Sequence, residues 1–91
     1  MKTKIKKFLE KWTGEKAGVD FQLLSGKEGK QFSEYSCGEY YIGFDGSVLY
    51  DLFQGYPNWG FLNAFNNFLK ENGYWCEQGH AWNCNIYKEE K

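Results

Sequence analysis

Phe61, Leu62, Phe65, Phe68 and Leu69 recur at i, i+1, i+4, i+7 and i+8, while Asn63, Asn66, Asn67 and Lys70 fill the opposite side. This is the 3.6-residue period of an amphipathic helix, which must lay its apolar stripe on another element. Asn58 stands where an N-terminal cap belongs and Gly73 where the chain can turn out of the helix, so the pattern predicts a helix over 59–72.

The residues after Gly73 read as a β-hairpin over 74–87 with its turn at Gln78-Gly79. A two-residue turn sets Glu77 opposite His80 and Trp75 opposite Trp82. Trp75, Trp82, Cys84 and Ile86 then share the core face, and Tyr74, Cys76, Ala81, Asn83, Asn85 and Tyr87 the other. Phe61, Phe65, Phe68, Trp75 and Trp82 are accordingly assigned to stability.

Towards the N-terminus, Ile5, Phe8, Leu9 and Trp12 give a second helix an apolar stripe, stopped by Gly14. Alternation over 19–23 predicts a strand with one buried face. Residues 25–30 read as a polar turn or loop, 31–35 as a strand, and Cys37-Gly38 as a break. Residues 40–44 and 47–51 flank Asp45-Gly46, a strong hairpin-turn signal. The competing reading has Ser47 capping a short helix over 48–53.

With 91 residues the chain is the size of one domain, because two independent cores would each be too small to bury enough surface. The expected fold is α+β: a small antiparallel sheet of three to five strands packed by the N-terminal helix and the second amphipathic helix (59–72), ending in the hairpin (74–87). Aromatic residues make up 21% of the chain, and Phe, Trp and the branched aliphatics supply 24 large apolar groups, enough for such a core. That leaves the seven Tyr as candidates for the surface, where an amphipathic ring suits a partner.

Charge is uneven. Residues 1–16 carry six Lys and two Glu, residues 17–91 five Lys and ten acids, and there is no Arg. Without Arg, the usual reader of guanine edges, and with an acidic body, a dedicated nucleic-acid role is disfavoured. The basic start is interrupted by Glu10, Lys11 and Gly14, so it does not read as a secretion signal, and no stretch reads as a membrane span. Three Cys without such a signal point to a reduced, cytoplasmic setting.

Cys76, His80 and Cys84 are spaced C-x3-H-x3-C, but the expected hairpin separates Cys76 from the other two, which argues against a metal site and against a Cys76–Cys84 disulfide. A pairing that involves Cys37 stays open. Cys37 with His80 supplies the residue types of a nucleophile and base, although the only His reads more simply as a turn residue. Asp45 and Asp51 lack the spacing of an acid–base pair, and Gly26-x-x-Gly29 lacks the ending of a phosphate loop. The expectation is therefore no catalytic centre, no metal and no cofactor.

The function expected is that of a small protein-binding module, of the kind by which a phage or mobile element inhibits a host defence enzyme through surface occlusion. The candidate partner-binding residues are Tyr40, Tyr41, Tyr50, Tyr56, Trp59, Tyr74, Asn83, Asn85 and Tyr87. The alternatives are a nucleic-acid-binding accessory protein using the Lys-rich N-terminal helix and a small Cys/His enzyme. A protein partner is expected and no membrane; a homo-oligomer is left open.

Overall fold

The computed structural model describes residues 1–34, 36 and 38–89. In chain order the elements are α1 (Lys2–Thr13), β1 (Gln22–Ser25), α2 (Gly26–Phe32), β2 (Tyr40–Gly43), α3 (Leu49–Phe53), α4 (Gly60–Glu71), β3 (Tyr74–Gln78) and β4 (Asn83–Lys88). The strands form one antiparallel sheet in the order β1-β2-β4-β3. The fold is α+β, with an N-terminal helix and a C-terminal hairpin as the periodicity predicts.

Ladder register decides which residues meet the helices. Leu23 pairs with Ile42, Ile42 with Cys84, and Cys76 with Ile86. These side chains share the inner face and pack with Ile5 and Leu9 of α1, Leu49 and Phe53 of α3, and Phe61, Phe65 and Leu69 of α4. Rings dominate the joint between helices. Phe8 of α1 stacks on Phe68 of α4 with centroids 4.7 Å apart, and Phe53 of α3 meets Phe61 edge-on at 5.1 Å.

Both amphipathic helices form where their stripes lie. Gly14 ends α1 with φ 72, and its N–H donates to the Glu10 carbonyl. At the start of α4 the Asn58 side chain accepts from the Gly60 N–H at 2.8 Å, while Trp59 holds the cap position in the backbone.

Residues 25–30 are a helix start and not a turn. The Ser25 side chain accepts from the Glu28 N–H and the Glu28 carboxylate accepts from the Ser25 N–H, a capping box that opens α2. A glycine is needed at position 29, where a Cβ would lie 2.9 Å from Tyr41 Cβ, closer than real contacts allow. Gln31 and Phe32 complete this helix, so the strand expected over 31–35 is replaced as far as Ser33 and Glu34; Tyr35 and Cys37 lie outside the described residues. Asp45-Gly46 leads into a helix, as in the competing reading. The Ser47 hydroxyl accepts from the Leu49 N–H at 3.0 Å and donates to the Glu15 carboxylate at 2.5 Å. The strand expected at 19–23 begins at Gln22: Phe21 and Leu23 are buried, but Val19 is exposed in the preceding turn.

The largest correction is the C-terminal hairpin. Trp75 pairs with Tyr87, five positions from Trp82. An odd shift turns β3 over relative to β4, whose Cys84 and Ile86 stay in the core, so Trp75 leaves the core and Cys76 enters it. The cause is the loop, which spans 79–82 and is held by its own contacts. The Phe44 N–H donates to the Trp82 carbonyl at 2.9 Å, the Gln54 side chain donates to the Ala81 carbonyl at 2.6 Å, and the His80 N–H donates to Asn83 Oδ1 at 2.8 Å.

Candidate functional site

The candidate partner-binding residues separate into three groups. Tyr40 and Tyr74 are half-buried on the inner sheet face, with ring centroids 6.1 Å apart. Burial, followed by the neighbouring Tyr74, raises the Tyr40 phenol above its ordinary pKa. Tyr41, Asn83 and Asn85 lie on the outer face but are buried, which removes them from any docking surface. The short helix α2, lying over Tyr41 through Gly29, accounts for part of that burial. Tyr87 is half-buried beneath Trp75.

Tyr50, Tyr56 and Trp59 are exposed and follow one another along the end formed by α3, the segment after it and the cap of α4. Tyr50 rides on α3. The Asp51 carbonyl accepts the N–H groups of Gln54 and Tyr56, each at 3.0 Å, and so fixes the chain that leaves α3. Gly55 follows with φ 81, and a methyl group there would collide with the Trp59 ring, which lies against it. Tyr56 is 68% exposed and Trp59 59%.

Two further exposed residues adjoin this end: Trp12, which the periodicity placed in the apolar stripe of α1, and Val48. Trp12 closes the apolar stripe of α1, yet it is 43% exposed, with Phe8 at 6.4 Å and Phe61 edge-on at 5.6 Å as its ring neighbours. Val48 begins the turn into α3, where its N–H donates to the Glu15 carboxylate at 3.0 Å. Through Glu15 the chain beyond α1 is therefore tied to the start of α3. Helix-end position, which leaves a stripe residue short of neighbours, was the one available sign for Trp12.

Cys76 and Cys84 share the inner face, so the separation expected between them is overturned. The neighbouring Cys84 thiol lowers the Cys76 pKa, while the Cys76 side chain first and burial second raise Cys84 well above its ordinary value. The Cys76 thiol also donates to Asn66 Oδ1 at 3.4 Å. His80 is in the hairpin loop, stacked on Trp82 with centroids 5.4 Å apart. Among the described residues no three His, Cys, Asp or Glu side chains gather around a common point. The pairing of Cys37 with His80 involves a position outside the described residues. No described helix is long and apolar enough to cross a membrane.

No family model, curated protein or solved structure matches the chain.

Proposed function

We propose that the chain is a protein-binding module that docks its partner on the aromatic end built by Tyr50, Tyr56 and Trp59. One observation carries the reading: of the eight large hydrophobics exposed among the described residues, Val48, Tyr50, Tyr56 and Trp59 fall on the stretch from the start of α3 to the cap of α4, and Trp12 meets Phe61 at the start of that helix. Single exposed apolar residues are ordinary, whereas a concentration of them marks an interaction surface. Trp and Tyr are also the side chains that most often carry binding energy at interfaces. Exposed Asp51 adds negative charge beside the rings.

The mode proposed is surface occlusion, as in an inhibitor that a phage or mobile element directs against a host enzyme. It rests on the exposed rings and on no likeness to such a protein. The test is capture from the native host with the wild-type chain and with a Tyr56→Ala/Trp59→Ala variant that retains the wild-type circular dichroism. The expected result is one protein bound in stoichiometric amount by the wild type and lost by the variant. Recovery of nucleic acid alone, or capture that the variant leaves intact, would remove the proposal.

A further inference from the structure

A cleft of about 380 Å³, at the small end of ligand pockets, lies at the end of the sheet where β1 begins and β2 finishes. Its walls are apolar rings, chiefly Phe21, Phe44, Trp82 and the Phe32 side chain at the end of α2, and its floor is Tyr41 and Gly43 of β2. Asp20 and Asp45 contribute its carboxylates.

The floor carries an unpaired polar group. Tyr41 is 0% exposed, and its hydroxyl has no hydrogen-bond partner. Gly43 leaves room for it: a Cβ built there would lie 3.2 Å from Tyr41 Cε2, 3.5 Å from the hydroxyl oxygen and 3.7 Å from Phe32 Cε1. The hydroxyl thus sits above Gly43, beside the edge of the Phe32 ring. Gly43 pairs across the ladder with Asn83, whose Nδ2 is also buried without a partner. Among the described residues these are the two buried side-chain groups left unsatisfied, and both flank Gly43. Buried polar groups are nearly always paired, and of these two only the Tyr41 hydroxyl belongs to the cleft, because the Asn83 side chain turns to the 79–82 loop, where its Oδ1 accepts from the His80 N–H; the unpaired Tyr41 hydroxyl calls for a partner.

We infer that the cleft binds a small uncharged molecule with an apolar or aromatic body and a carbonyl oxygen, which accepts a hydrogen bond from the Tyr41 hydroxyl. The ring walls suit the body. The two carboxylates disfavour an anion, and an acceptor oxygen meets the need of the buried Tyr41 hydroxyl. Entry requires movement of Phe32, which is 58% exposed and belongs to the class of surface side chains that change rotamer within nanoseconds.

The test uses benzamide as the neutral carbonyl probe and benzoate as its charged counterpart, followed by amide and indole resonances in solution. Benzamide is expected to shift Trp82, Phe44 and β2 signals at millimolar concentration, and benzoate to bind more weakly. Tyr41→Phe, which removes only the unpaired hydroxyl, is expected to weaken benzamide about fivefold, the worth of one neutral hydrogen bond. Asp45→Asn is expected to narrow the gap between the two probes. Shifts absent or confined to other surfaces, benzoate binding as tightly as benzamide in the wild type, or unchanged affinity in Tyr41→Phe would overturn the proposal. The cleft and the aromatic end share no residue, so neither result bears on the other.

Discussion

Trp75 stacks on Tyr87 across the β3–β4 ladder, with ring centroids 4.5 Å apart, on the face of the sheet turned away from α1, α3 and α4. The two rings gain from each other and little from the core. Trp75→Ala is therefore expected to cost about 0.5–1.5 kcal/mol, the worth of an aromatic pair. Ile86→Ala on the inner face is expected to cost about 2–5 kcal/mol. Urea unfolding of both variants checks the order, and a Trp75 loss equal to that of Ile86 would contradict the register.

The two residues also show how far the sequence could be read. The helices α1 and α4 were legible because a 3.6-residue stripe ended by glycine has few other readings. The existence of the hairpin was legible too, but its register was not. It depends on the loop being held by Phe44 and Gln54, which are distant in sequence. The helix α2 lacks an apolar stripe and was announced only by Ser25 and Glu28, three residues apart; with Gly26 and Gly29 inside it, the segment resembled a turn. Tyr41 was a surface candidate because Phe, Trp and the branched aliphatics sufficed for a core; α2, which closes over it through Gly29, helps to bury it. Within the proposed docking end, Tyr56 and Trp59 were legible as aromatics just before and at the start of the helix expected over 59–72, whereas the exposure of Trp12 depends on how α1 and α4 meet.

Tyr41→Phe is expected to raise the unfolding free energy by about 1 kcal/mol, because the buried hydroxyl makes no hydrogen bond and its removal spares the desolvation cost. Thermal or urea unfolding without ligand measures this. A loss of similar size would mean that the hydroxyl has a partner in the folded chain.

Glu28 is held down to about 2 by the Ser25 backbone N–H first, then by Lys2 and the Ser25 side chain. Because its folded pKa lies below the unfolded value, its support of α2 is complete above about pH 4.5 and is lost as pH falls through about 2. Amide exchange at residues 26–30 is expected to accelerate over that window relative to α4, after correction for intrinsic rates. In Glu28→Gln, which keeps a capping side chain without the charge, this extra acceleration should disappear.

The thiol pair should react unequally. Cys76 is half-buried with a lowered pKa, while Cys84 is buried with a raised one. Since the thiolate is the nucleophile, iodoacetamide at neutral pH is expected to label Cys76 well before Cys84. Peptide mapping over time reads the order directly, and equal rates in the folded chain would contradict the described inner face.

The claim that the aromatic end is a docking surface can be tested residue by residue with a photo-crosslinking side chain placed singly at Tyr56, at Trp59 and, as controls, at Lys30 on α2 and Trp75 on the far face. In the native host, irradiation is expected to join a single protein to the chain from positions 56 and 59 and not from the two controls. Adducts of equal yield at all four positions, or none at 56 and 59, would contradict it.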